Sequence, residues 1–348
     1  MIRLPPVDSL RRSVEDWQEV EGHRFAKRWS MVRGMKTADF TFRAPDGASL
    51  HVSGWAVDSP KAIVQVIHGM AEHGSRYARL AGALAAAGYT TYAHDHRGHG
   101  QSISEASPAG HLADNDSWTR IVEDAHAINR EIARRDPGLP IIVLGHSMGS
   151  FVLQQLLFEH PDDMVAAALS GSNGKPPAKA AAGTIVARIE RARLGRRRPS
   201  PLLTRLSFGD YNKAFAPART EFDWLSRDPA EVDAYIADPL CGFPVSTQTW
   251  VDLLAALGGI AKPDNVAKVP KAMPLYLFAG DRDPVGEFGK GMQRLRDAYT
   301  RAGIQDVRLT LYPGGRHEMF NETNREEVTA GLVAWCDEIV AARSARRG

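Results

Sequence analysis

The chain has 348 residues, 43% of them hydrophobic and 24% charged, with a formal net charge of +2. That is material for one large core or two modest ones, and too little net charge to drive the whole chain onto nucleic acid. Two cysteines, Cys241 and Cys336, lie far apart with no metal-ligand spacing, which favours reduced thiols in a cytoplasm over a disulfide framework.

Residues 1–36 read as an N-terminal arm, with Trp17, Val20, Phe25 and Trp29 at spacings that suit a packed helix. The charged residues after Pro6 are unlike a secretion signal, and no apolar stretch approaches the roughly 20 residues of a bilayer span. Phe40 and Phe42, then Leu50, Val52 and Trp55, flank Pro45-Asp46-Gly47 and predict a β-hairpin at an antiparallel sheet edge. Strands are then predicted at Ala62–His68, Tyr89–His94, Ile141–Leu144 and Val165–Ser170, with helices at Arg76–Ala87, Trp118–Arg135 and Ser150–Glu159 between them. Such alternation implies a parallel sheet covered by helices on both faces. It breaks over 171–269, a stretch rich in Ala, Arg, Pro and aromatics, and resumes with strands at Leu275–Ala279 and Val307–Tyr312 and helices at Gly289–Ala302 and Arg325–Ala342. The expected division is a core of 37–170 and 270–348 with 171–269 as an insertion.

Gly145-His146-Ser147-Met148-Gly149 closes the β-branched run from Ile141 and precedes an apolar helical pattern. A Gly-x-Ser-x-Gly between strand and helix is a nucleophile elbow; alone, the pentapeptide is as readily a small-residue turn. Ser147 then needs a base, and the base needs an acid to fix its tautomer. His317 follows the last strand and is the expected base, while Asp281 and Asp283, after the strand at Leu275, are both candidates for the acid. An oxyanion needs two N–H donors; those of Met148, after the serine, and Met70, in His68-Gly69-Met70-Ala71-Glu72-His73, are the candidates.

Together with His94-Asp95-His96-Arg97-Gly98-His99-Gly100-Gln101-Ser102, these motifs resemble the α/β-hydrolase family of monoacylglycerol lipases and bacterial lysophospholipases, which also carries a serine aminopeptidase label. The resemblance runs from about Thr37 to Val340. It implies an α/β-hydrolase fold: a mostly parallel eight-stranded sheet with a helical cap, 171–269, inserted after the sixth strand. It also places the acid three residues after Gly280, at Asp283. The implied activity is hydrolysis of lipid-like carboxylic esters, monoacylglycerol or lysophospholipid, through an acyl-enzyme, with no cofactor. A small-ester carboxylesterase, an aminopeptidase or amidase, and a non-catalytic binding module are the alternatives.

The histidines of 94–99 invite a metal reading, but in the resembled family that stretch is a structural turn. Ile185–Arg198 carries six arginines beside Ile185, Val186, Ile189 and Leu194: a solvated basic face, or a surface for peripheral contact with an anionic membrane. Of the cap's many apolar side chains, most are needed for its own core. Phe208, Tyr211, Phe215, Phe243 and Trp250 are the expected substrate contacts.

Overall fold

Five short apolar segments supply the centre of the molecule: β4 (Ala62–Ile67), β5 (Tyr89–His94), β6 (Ile141–His146), β7 (Ala166–Ser170) and β8 (Leu275–Gly280) are buried at every position. In the computed structural model, which describes residues 35–174 and 179–345, they lie in the order β5-β4-β6-β7-β8, all parallel, with β9 (Val307–Tyr312) beyond β8. β3 (Ser49–Val57) runs antiparallel beside β5. Its far edge is shared by β1 (Met35–Thr37) and β2 (Phe40–Arg43), placed end to end. Nine strands therefore occupy eight positions. The ladder breaks at Asp39, whose carboxylate takes the Gly54 amide at 2.8 Å.

The expected arm thus gives Met35 and Lys36 to the sheet, paired with Val57 and Ala56. The Trp17–Trp29 reading lies outside the described residues.

Successive strand side chains point to opposite faces, and each face has its own core. Ile63, Val143, Leu169 and Leu277 pack with α2 (Ser117–Arg135) and α3 (Met148–Glu159), while Val64, Leu144, Ala168 and Phe278 pack with α1 (Ala78–Ala86).

Between β7 and β8 the described chain forms α4 (Lys179–Leu194), α5 (Pro201–Phe208), α6 (Pro229–Ala237), α7 (Thr247–Ile260) and the short α8 (Pro263–Val266). Ser200, Asp228 and Ser246 cap α5, α6 and α7 by accepting N–H groups of the first turn. α7 is not a free lid, because Trp250, Val251, Leu253 and Ile260 join the core shared with α2 and α3. The fold closes with α9 (Lys290–Arg301) on the α2 and α3 face, and with α10 (Arg325–Ala345) on the α1 face.

The basic run is not one helix. α4 stops at Leu194 because Gly195 adopts φ +86°, a helix-ending conformation that glycine takes without strain. Arg197 then turns back to pair with Asp114 at 2.6 Å, and Arg196 donates to the Asp114 carbonyl. Part of the expected solvated face is a tether to the loop before α2. No helix among the described residues is long and apolar enough to cross a membrane.

Candidate active site

β4, β6, β7, β8 and β9 all end at the same edge of the sheet, where a parallel sheet collects its functional loops. At the end of β6 the chain passes through Ser147 directly into α3, and Ser147 sits at φ +50°, ψ −120°. A non-glycine residue in that region is strained and needs its surroundings to hold it. Its amide donates to the Ser170 carbonyl at 3.0 Å. Gly149 explains the close packing that makes the turn possible: a Cβ there would lie 2.1 Å from the Ile67 carbonyl oxygen. Met148 opens α3, so its N–H is one of the helix's unpaired first donors.

Gly69 follows β4 and faces the serine, since a Cβ at Gly69 would lie 3.1 Å from the Ser147 Cβ. The Gly69 amide donates to Glu72 Oε1 at 2.6 Å, which fixes the loop that carries the Met70 amide. Glu72 is buried and also accepts from Tyr77 (3.0 Å) and Arg76 (2.8 Å). The same guanidinium grips Glu318 through two bonds of 2.8 and 2.7 Å. Glu318 directly follows His317, so one partly buried cation joins the Met70 loop to the His317 loop. Burial raises the Glu72 carboxyl. It opposes ionisation of Glu318 too, but there the Arg76 charge and hydrogen bonds dominate and hold the group low.

His317 Nδ1 lies 3.0 Å from both oxygens of Asp283, which is fully buried and also accepts the Val285 amide. Asp281 does different work: its carboxylate takes the Gly314 amide at 2.7 Å and shapes the turn after β9. Burial opposes the imidazolium of His317, but the Asp283 charge and hydrogen bond outweigh it, so the pKa is raised on balance. With Nδ1 engaged, Nε2 is the free ring nitrogen. No hydrogen bond joins Ser147 to His317 among the described residues, as is common in substrate-free hydrolases. One short segment holds both, since Ser170 accepts the Ser147 amide and a Cβ on the next residue, Gly171, would lie 3.0 Å from the His317 ring.

Sequence reasoning missed how the insertion backs His317. The Trp224 ring lies 5.1 Å from the imidazole, and the Trp224 and Leu225 carbonyls accept the amides of His317 and Glu318. Trp224 was one apolar residue among many in that stretch, with no local signal to single it out. Phe208, Tyr211 and Phe215 gather around it in one cluster. Burial, with the Asp283 charge nearby, pushes the Tyr211 phenol up. Trp250, a buried core residue of α7, meets this cluster through Phe208 at 5.6 Å, and Phe243 packs on His99 at 5.2 Å.

The 94–99 turn is a scaffold. Asp95 accepts the amides of Gly74 and Gln101, Arg97 pairs with Asp124 and Asp46, and the His96 amide donates to His68 Nε2. Among the described residues, no three ligand atoms that include its histidines lie within 4.8 Å of one another. Closer to the site, His73, Asp238 and Cys241 lie within metal-binding distance of one another, but His73 already bonds Asp238 at 2.8 Å and Ser75 at 2.8 Å. Both cysteines are free and buried.

A strained serine elbow and a buried Asp–His pair at the carboxyl edge of a mostly parallel sheet define the α/β hydrolases. Residues 58–324 match the serine aminopeptidase S33 family model, and the chain belongs to that family. It is 32% identical over 304 residues to a monoacylglycerol lipase of Mycolicibacterium smegmatis, covering 86% of this chain and 96% of that protein. Identity to human monoglyceride lipase is 28%, over 87% of this chain and 90% of the human protein. A thermostable carboxyl esterase from Bacillus coagulans, solved in complex with glycerol, superposes with a TM-score of 0.81 at 27% identity, over 88% of this chain and 99% of that one.

Proposed function

We propose that the protein is a serine hydrolase that cleaves carboxylic esters of lipid-like substrates, monoacylglycerol or lysophospholipid, with Ser147, His317 and Asp283 as its catalytic residues. The observation that carries this is the Ser147 elbow beside a buried His317–Asp283 pair, with both seated on the end of β7. Ser147 Oγ attacks the ester carbonyl as His317 Nε2 takes its proton. The Met70 and Met148 amides hold the oxyanion, and Asp283 stabilises the imidazolium. His317 returns the proton to the leaving alcohol, then activates the water that releases the fatty acid and frees Ser147. The cluster of Phe208, Tyr211, Phe215 and Trp224 beside His317 supplies an apolar wall for an acyl chain, and the curated relatives are named for the same substrate class. An aminopeptidase would need a free carboxylate for the substrate's ammonium, whereas Glu72 and Glu318 are both paired with Arg76.

Initial rates on 4-nitrophenyl esters from acetyl to palmitoyl, with monoacylglycerol included, test the reading. It expects a maximum at medium or long chains and none of that activity in Ser147→Ala. A maximum at acetyl makes the protein a small-ester carboxylesterase instead.

The insertion, 171–269, is the cap over this site in our reading, and it is also where a membrane would be met. Ile185 and Ile189 on α4, and Leu202 and Leu206 on α5, are large apolar side chains left 45–61% exposed. Replacing Ile189 and Leu206 by Ser should slow hydrolysis of vesicle-borne substrate and spare a soluble ester; equal rates on vesicles would remove the docking surface.

A further inference from the structure

On the α2 and α3 face, Glu123, His126 and His160 each bring one ligand atom within 4.8 Å of the others. Glu123 and His126 are three apart on α2 and share a face, and His160 is the residue at which α3 ends. The two imidazoles stack with centroids 3.6 Å apart and planes 9° from parallel. His126 Nε2 meets Asp163 Oδ2 at 2.7 Å, and Arg130 holds the other oxygen of Asp163 at 3.2 Å. Since a carboxylate accepts, Nε2 carries the proton and Nδ1 keeps its lone pair. A carboxylate that orients a histidine in this way is the usual outer partner of a metal ligand.

We propose that Glu123, His126 and His160 bind a first-row divalent cation, zinc above the others. Two imidazoles and one carboxylate are a zinc donor set, and three protein ligands leave a fourth position for water. Zinc bonds of about 2.0–2.1 Å call for ligand separations near 3.4 Å. Glu123 is exposed and His160 half-buried, so side-chain rotation closes the remaining gap, with the His160 ring tilting out of the stack. Coordination through His126 Nδ1 leaves the Nε2 bond to Asp163 in place. At His73, Asp238 and Cys241, by contrast, an ion would have to break the bond between two of its own ligands. The site lies at the opposite end of α3 from Met148, and 12 helical residues place it about 18 Å from the elbow. A cation there clips α2 to α3 and acts on stability rather than on the reaction.

The test is calorimetric titration of the full chain, stripped with a chelator, with zinc chloride, alongside melting curves with and without zinc. One saturable site and a higher melting temperature are expected. Asp163→Asn should weaken binding by about tenfold or more, and His160→Ala should abolish both binding and the melting shift. Each variant without zinc should hydrolyse esters at the wild-type rate, which shows that it is folded. Undiminished affinity in both His126→Ala and His160→Ala overturns the assignment. Binding that survives His160→Ala and disappears in Cys241→Ser also overturns it, because the ion would then sit between the cap and the Met70 loop.

Discussion

Lowering the pH from 7 to 5 should strip this protein of much of its stability, through histidines that take no part in the reaction. His68, His94, His96, His99 and His146 are all at most 4% exposed. Burial disfavours their charged forms and takes His94 and His99 down to about 4 and His146 to about 3; His68 and His96 fall well below the ordinary 6.5. The native state keeps these rings neutral, so below pH 6.5 the unfolded chain binds more protons. Stability is then complete above 6.5 and is lost as pH falls towards the native values. Between pH 7 and 5 each of the three with a stated value loses roughly 2 kcal/mol, about 6 together. His68 and His96 add to the loss, while His317, whose pKa is raised, opposes it. A domain holds about 5–15 kcal/mol in all. Urea unfolding at pH 7, 6 and 5 reads this out as a falling midpoint at constant slope. Both ring nitrogens of His94 lack partners, so His94→Leu should flatten the profile by up to about 1.4 kcal/mol per pH unit. A midpoint that does not move between pH 7 and 5 would mean that the buried histidines place no such charge on the native state.

Two substitutions examine the site itself. Glu72→Ala frees the Gly69 amide and should lower kcat about tenfold to a hundredfold with little change in KM, within the loss of a whole oxyanion donor; Glu72→Gln keeps an acceptor for Gly69 and should recover most of the rate, and equal kcat in both variants would deny Glu72 its part in placing the Met70 loop. Asp283→Asn should reduce kcat by about 10⁴ through loss of the productive His317 tautomer, whereas Asp281→Asn should cost far less, and the reverse order would exchange their roles.

The parallel core was legible because its strands are continuous apolar runs separated by helical patterns, and Ser147 because strand, glycines and helix all meet there. Local sequence could not choose between Asp281 and Asp283. They are two residues apart in one loop, and only the direction each takes, to Gly314 or to His317, separates them. The Glu72–Arg76–Glu318 network was invisible for a related reason. Glu72 and Arg76 have helical i, i+4 spacing, which reads as an ordinary surface pair, and the partner that ties it to the His317 loop is 242 residues further on. Met35–Thr37 escaped because three residues carry no periodicity; pairing with β3 makes them a strand. The arginines after α4 looked like a helix face until Gly195 turned the chain towards Asp114.

The proposed reaction stands or falls with Ser147 as a nucleophile activated by His317. Incubating the protein with a long-chain alkyl fluorophosphonate and mapping the adduct by peptide mass spectrometry addresses it directly. One modified residue is expected, Ser147, with ester hydrolysis lost in proportion to labelling and labelling slowed by several orders of magnitude in His317→Ala. Full hydrolytic activity in protein labelled at Ser147, or an adduct at another serine that tracks the loss of activity, would contradict it.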